Sequence, residues 1–224
     1  MQEHGMRLFW SSRSPFVRKV MVVAHEVGLA DQIQCVRTRV PLTDNAPPLL
    51  AFNPLGQIPT LVLPDGQSLF DSLVICEYLD LLGHGPKMLP VLPRARIDTL
   101  QRHALGHATA DLAMHILAAR RLPLEQQLPG VLQRRTATLE RVLSRLDELV
   151  PVLAVVPPDL GHVAIACALS YIDFRRVQPD WRSGRGALGA WFADFAARPS
   201  MVATDFVDDL AVKPDTADAE VEAR

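Results

Sequence analysis

Along the opening of the chain the apolar positions switch between the period of a strand and that of a helix. Arg7–Trp10 is a short apolar run that ends in Ser11, Ser12, Arg13 and Ser14. After Pro15, the positions Phe16, Val17, Val20, Met21, Val23, Ala24 and Val27 recur at helical spacing. Ser14 before Pro15 is a helix start: the serine accepts from an orphan N–H, and proline at the first helical position has no N–H to lose. Gly28 supplies the stop. A second apolar strand at Ile33–Val36 completes a βαβ unit, for which parallel strands and a right-handed crossover are expected. The stretch Pro41 to Pro54 reads as irregular, with room for one helical turn. Two short runs, Pro59–Leu63 and Gln67–Phe70, flank Asp65-Gly66 and predict a hairpin. Asp71 and Ser72 then open a helix over Leu73–Leu82, stopped by Gly83.

The pattern changes after residue 83. His84 to Pro93 (HGPKMLPVLP) reads as a linker, and from Arg94 the period is helical throughout. Helices are expected at about 94–121, 125–150, 160–176 and 185–198, with boundary errors of ~2–4 residues. The predicted division is therefore an α/β domain over 1–83, a linker over 84–93 and an all-α domain over 94–207. From 208 to 224 the chain is charged and poor in apolar residues, and that tail is expected to be disordered.

Composition narrows the field of functions. The 224 residues are 49% hydrophobic, enough for a substantial core, and the net charge of −2 leaves no footprint for nucleic acid or an anionic membrane. No apolar stretch approaches the ~20 residues of a membrane span, and the polar start (MQEHGM) does not resemble a signal peptide. Cys35, Cys76 and Cys167 sit among apolar neighbours without a CxxC pair, so all are expected as buried, inert thiols of a reduced, cytoplasmic protein.

Three local features carry chemistry: Ser14-Pro15-Phe16-Val17-Arg18-Lys19-Val20 at a strand-to-helix turn, Asn53-Pro54-Leu55-Gly56-Gln57-Ile58-Pro59 before a strand, and Phe70-Asp71-Ser72 at a helix start. Each has an ordinary explanation. Ser14 can be a plain N-cap, Pro59 a trans turn proline, and Asp71 with Ser72 a capping pair. In this order, inside a βαβ–ββα frame, they resemble the amino-terminal domain of the cytosolic glutathione transferases. Ala164-Ile165-Ala166-Cys167-Ala168-Leu169, Tyr171 and Phe174-Arg175-Arg176-Val177 resemble the sixth helix of the small bacterial YibF-type members, and the likeness spans residues 6 to about 207.

The resemblance implies a thioredoxin-like domain followed by an all-helical domain, with glutathione bound between them as a substrate, and no metal or nucleotide cofactor. It implies a cis Ile58–Pro59 bond and an Ile58 backbone that pairs with the peptide like an added strand. Ser72 would hold the γ-glutamyl carboxylate at a helix N-terminus, and Asp71 would meet its ammonium. Gln57 would lie near the glycyl carboxylate, with Arg13 as a second donor there. Ser14 would donate to the sulfur and favour the thiolate, with Ser11 and Ser12 competing for that role. The implied reaction is attack of the thiolate on a small hydrophobic electrophile, in a homodimer with no nucleic-acid or membrane partner. The alternative is a glutathione-binding or regulatory protein on the same fold with little turnover, since fold does not fix function. A thiol–disulfide enzyme is disfavoured, because Ser11–Phe16 contains no cysteine.

Two further patterns are weighed and set aside. His103, His107, Asp111 and His115 share a helix face at i, i+4 steps, a spacing compatible with metal, but solvated, interface or cleft-lining polar positions are the expectation. Relatives carry Ser or Thr followed by Asp as a capping box at the sixth helix. Here Asp159 can still cap, but His162 stands where the acid would be. Trp191, Phe192 and Phe195 are expected in the core.

Overall fold

The computed structural model describes residues 5–40 and 47–209. The chain divides into two compact units, Met88–Ala203 and the segment up to Lys87, which the described residues from Thr204 onward rejoin.

In the first unit, β1 (Met6–Trp10), α1 (Pro15–Glu26) and β2 (Ile33–Arg37) form the expected βαβ element, with β1 and β2 parallel and Met6 opposite Ile33. Next come a short helix α2 (Pro47–Leu50), then β3 (Thr60–Val62), β4 (Ser68–Leu69) and α3 (Ser72–Leu82). The sheet order is β2-β1-β3-β4, and β3 runs antiparallel to both its neighbours. This is a thioredoxin-like mixed sheet. Its core is built from Leu8, Val17, Val20, Val23, Leu61, Ile75 and Leu79, all shielded from solvent. The α1 signals act as read: Ser14 is the N-cap, Pro15 is the first helical residue, and Gly28 adopts a φ of 75° just past the end. At Gly83 and Gly85 the chain leaving α3 passes directly over the end of α1. A Cβ on Gly85 would fall 2.2 Å from the Glu26 carbonyl oxygen. Of residues 41–54, positions 41–46 lie outside the described residues, and the anticipated single helical turn is α2.

One expectation is corrected here. Cys76 and Cys167 are buried, but Cys35 is exposed. It lies on β2, an edge strand of the sheet, where flanking apolar residues do not guarantee cover on both faces. Its Sγ lies 4.0 Å from the Met21 sulfur.

The second unit holds α4 (Pro93–Arg121), α5 (Pro129–Leu153), α6 (Leu160–Arg175), α7 (Gly186–Ala196) and α8 (Pro199–Ala203). The helix α8 is not among the expected elements, and the largest boundary differences from the sequence reading are at the two ends of α5. Residues 124–126 form a separate 3₁₀ turn before α5, because Pro129 restarts the helix, and α5 runs three residues past the expected end. Pro151 falls in its last turn, where losing one intrahelical hydrogen bond does not break the element. The helix α6 is apolar on every side and buried from Leu160 to Ile172, so it is the centre of this unit. Gly106 of α4 lets it approach: a Cβ there would lie 2.5 Å from Ala164 C and Ile165 N. Phe192 and Phe195 are buried and Trp191 half-buried, with the Trp191 and Phe195 rings stacked at 5.4 Å.

At the start of α6, the box is formed by the residue that breaks the family pattern. Asp159 Oδ1 accepts from Gly161 N (2.9 Å) and His162 N (3.1 Å), and the Asp159 N–H points at His162 Nδ1 (3.2 Å). Asp159 Oδ2 accepts from the Thr99 hydroxyl (2.7 Å) and from the Arg102 guanidinium, both on α4. Burial alone would push this carboxyl up. Hydrogen bonds from His162 and Thr99, the His162 charge and the Arg102 hydrogen bond hold it well below the usual carboxylate range. Among the described residues, no helix is long and apolar enough to cross a membrane.

Candidate functional site

The strand register gathers the candidate loops. Phe9 pairs with Thr60 and Leu61 with Leu69, so the chain leaves β1, enters β3 and leaves β4 at one end of the sheet. The parallel partner of Trp10 is Arg37, so β2 also ends there. The Ser11–Ser14 turn, the Gln57–Pro59 segment and Asp71–Ser72 therefore share the end at which β1 and β2 finish. In open α/β sheets the ligand crevice lies outside the carboxyl ends of parallel strands.

In the first loop, the serines have distinct environments. Ser14 Oγ accepts from Val17 N at 3.3 Å, which satisfies one orphan donor of α1 and leaves the hydroxyl proton available. Ser11 Oγ accepts from Arg13 N at 3.3 Å. The Ser12 hydroxyl instead donates to the Val207 carbonyl at 2.9 Å.

The second loop is held from within. Buried Asn53 donates from Nδ2 to the Gln57 carbonyl (3.1 Å) and to Thr60 Oγ1 (2.9 Å), and its Oδ1 accepts from Leu55 N (3.0 Å). Gly56 takes a φ of 60°, a turn that only glycine enters without cost. The Ile58–Pro59 bond is cis. Pro59 is buried, and Ile58 is half-buried against Phe9, Leu49 and Val62. The Gln57 side chain is exposed, while its carbonyl takes the Asn53 and Thr60 bonds.

At the third loop, Asp71 is the N-cap of α3, and its Oδ1 accepts from Leu73 N at 3.0 Å. Ser72 is 1% exposed, yet its hydroxyl has no hydrogen-bond partner among the described residues. Capping by Asp71 does not use it. A buried hydroxyl left unpaired costs ~1–3 kcal/mol.

Sequence reasoning missed the segment that returns to this turn. Besides the Ser12 hydroxyl bond, Val207 N donates to the Ser12 carbonyl at 3.4 Å. Arg13, weighed above as a donor to a carboxylate, has its Nε 3.1 Å from Asp208 Oδ1. Arg37 meets the carboxylate and the carbonyl of Asp209, at 3.0 and 2.7 Å. Asp208 and Asp209, which composition assigned to the tail, are thus in place; positions 210–224 lie outside the described residues. The only sequence signal was charge: arginines near the turn and aspartates near the end of the chain. The histidine face of α4 divides into a buried His103, whose ring lies 5.6 Å from that of His107, and an Asp111–His115 pair at 3.2 Å. No cluster of three or more metal-ligating residues occurs among the described residues.

Comparison with known proteins agrees with this geometry. Residues 13–82 match the family model described as "Glutathione S-transferase, N-terminal domain". The uncharacterized GST-like protein YibF of Escherichia coli is 32% identical over 202 residues, covering 89% of this chain and 98% of that protein. A glutathione transferase family member from Pseudomonas fluorescens, crystallised with bound glutathione, superposes with a TM-score of 0.85 at 34% identity. It covers 89% of this chain and 98% of its own. A second crystal structure of such a family member from that organism, holding S-(propanoic acid)-glutathione, gives a TM-score of 0.80 at 34% identity and the same coverage. With thioredoxin-like and helical units in this order, and kinship along nearly the whole of these relatives, the chain belongs to the glutathione transferase family.

Proposed function

We propose that the chain binds glutathione across the end of the sheet where its loops gather, and joins its thiolate to a small hydrophobic electrophile. The Ser72 hydroxyl carries this reading, because it is buried, without a partner among the described residues, and placed at the N-terminus of α3. It donates to the γ-glutamyl carboxylate, and the exposed Asp71 carboxylate takes the ammonium. The Ile58 backbone pairs with the cysteinyl part, and Gln57 reaches the glycyl carboxylate. Ser14 donates its hydroxyl proton to the sulfur, at a helix end whose dipole also favours negative charge. Ser12 is the weaker candidate for this role because its proton already goes to Val207. The thiolate then forms the carbon–sulfur bond with the electrophile, and its leaving group departs with the electron pair. A crystallised relative holds a glutathione whose sulfur carries a propanoic acid, which is consistent with room beyond the sulfur. A homodimer and a cytoplasmic location belong to the same reading.

The test is calorimetry of glutathione on wild type and Ser72→Ala. Loss of one charge-assisted hydrogen bond predicts ~1.5–3 kcal/mol, more than tenfold in affinity. Unchanged affinity removes Ser72 from the site and with it the support for this reading.

A further inference from the structure

Five residues near the end of the described chain, Asp205–Asp209, are tied to the first unit by charge as well as by backbone. Arg18, buried one turn into α1, has its guanidinium 3.2 Å from Asp205 Oδ1 and 4.6 Å from the centre of the Phe206 ring. Arg13 meets Asp208, and Arg37 at the end of β2 meets Asp209. Between these pairs, Val207 exchanges two hydrogen bonds with Ser12. The segment therefore runs across the carboxyl ends of β1 and β2 and grips Ser12 and Arg13, the residues that lead into the N-cap Ser14. Ser14 N in turn donates to the Ser11 carbonyl at 3.2 Å, so the turn is closed behind it.

We propose that Asp205–Asp209 is a charge-latched strap that positions the Ser11–Ser14 turn, so that Asp208 and Val207, acting through Arg13 and Ser12, set where Ser14 presents its hydroxyl. This rests on the reading of Ser14 as the donor to the glutathione sulfur. The strap residues are positioning residues and touch no substrate. Exposed ion pairs are weak singly and are screened by salt. Here they act on one short segment whose centre is also hydrogen-bonded, and ordering of the turn is what they share.

The sign of one measurement separates positioning from simple electrostatics. Replacing Asp205, Asp208 and Asp209 by Asn removes negative charge near a thiolate and leaves Arg13, Arg18 and Arg37 in place. By charge alone, the thiol pKa of bound glutathione would fall. If the strap holds the turn, the pKa rises instead, because Ser14 no longer donates well. The experiment is a pH titration of thiolate absorbance, in the full-length chain saturated with glutathione, for wild type, the triple Asn variant, the single Asp208→Asn and the conservative Asp208→Glu. The expected result is a rise that cuts the thiolate fraction below the pKa roughly three- to tenfold in the triple variant, less in Asp208→Asn, and is largely reversed in Asp208→Glu. Turnover falls in step, while the KM for glutathione changes by less than about threefold, a contact beyond the strap's reach. Hydrogen exchange at residues 12–17 of the glutathione-free protein should quicken in the triple variant. If the triple variant does not fold, the single variant and the wild type titrated from low to high salt give the same reading. A pKa that falls or stays put, with wild type depressed, overturns the strap alone. A wild type with no depressed thiol pKa overturns the glutathione-activation reading, and the strap with it.

Discussion

Substituting Ser14 tests the chemistry most directly, and the structure says what else the change would disturb. The hydroxyl has two prospective jobs: it accepts from Val17 N as the N-cap of α1, and it donates to the glutathione sulfur. Ser14→Ala removes both. The cap bond is long, at 3.3 Å, so its loss belongs toward the middle of the ~0.5–2 kcal/mol range for N-caps. For a chain of this size ~1 kcal/mol lowers the thermal midpoint by ~2–4 °C. A hydrogen bond to a charged acceptor contributes ~1.5–3 kcal/mol, and each pKa unit corresponds to ~1.36 kcal/mol, so the bound thiol should titrate about one to two units higher. Some activation persists, because the helix N-terminus remains. Ser14→Gly separates the two jobs, since glycine at an N-cap costs only a few tenths of a kcal/mol. It should leave the melting point almost unchanged and still raise the thiol pKa, whereas Ser14→Thr should keep both. Thiolate absorbance against pH is the assay, run beside Ser11→Ala and Ser12→Ala. Should only one of those serines move the titration, Ser14 is a cap and the sulfur donor lies elsewhere in the turn. A wild type without a depressed thiol pKa would favour the glutathione-binding protein with little turnover.

Two predictions concern the second unit. Gly106→Ala should destabilise by about 1–3 kcal/mol, because the new Cβ meets α6 backbone that cannot rotate away; the denaturant midpoint should drop with an unchanged slope. The depressed Asp159 pKa stabilises the folded state above the unfolded value near ~3.9 and ceases to do so as pH falls through the folded value. Wild-type stability should therefore decline more steeply below about pH 4 than that of Asp159→Asn, with the gap between them narrowing; parallel curves would detach Asp159 from acid unfolding.

The parts of the fold that were legible in sequence are those whose cause is local. Ser14-Pro15 starts α1, Asp65-Gly66 turns the hairpin, and Asp71 caps α3, each through neighbours within a few residues. What escaped depends on partners far along the chain. Ser12 and Val207 are 195 positions apart, and Arg102 and Asp159 are 57 apart. No periodicity connects such pairs. Cys35 misled for a related reason: its apolar neighbours describe the strand, while its exposure follows from β2 being at the sheet edge, a property of strand order. His162 looked like damage to the α6 cap because the family pattern has an acid there. Its imidazole Nδ1 lies 3.2 Å from the Asp159 amide nitrogen and 2.7 Å from Asp159 Oδ1, and its second nitrogen lies 3.1 Å from the Leu153 carbonyl oxygen.

The Ser72 hydroxyl allows capping and ligand binding to be told apart in a single variant. Were the Asp71–Ser72 pair only a helix start, Ser72→Ala would be neutral or harmful to folding and irrelevant to glutathione. The geometry assigns the capping bond to Asp71 and leaves the Ser72 hydroxyl buried without a partner among the described residues, a desolvated group with nothing in return there. Alanine removes that cost and is the better helix former. The unliganded variant should therefore melt higher than wild type, by ~2–4 °C for a gain of ~1 kcal/mol. Saturating glutathione stabilises according to its affinity, so a variant that binds more than tenfold more weakly gains at least ~1.4 kcal/mol less from the same ligand concentration. The order should then reverse, with wild type the more stable of the two in excess glutathione. A thermal shift series across glutathione concentrations would show the two curves crossing. Curves that never cross, with alanine above or below throughout, would mean that the hydroxyl is not held in reserve for the γ-glutamyl carboxylate.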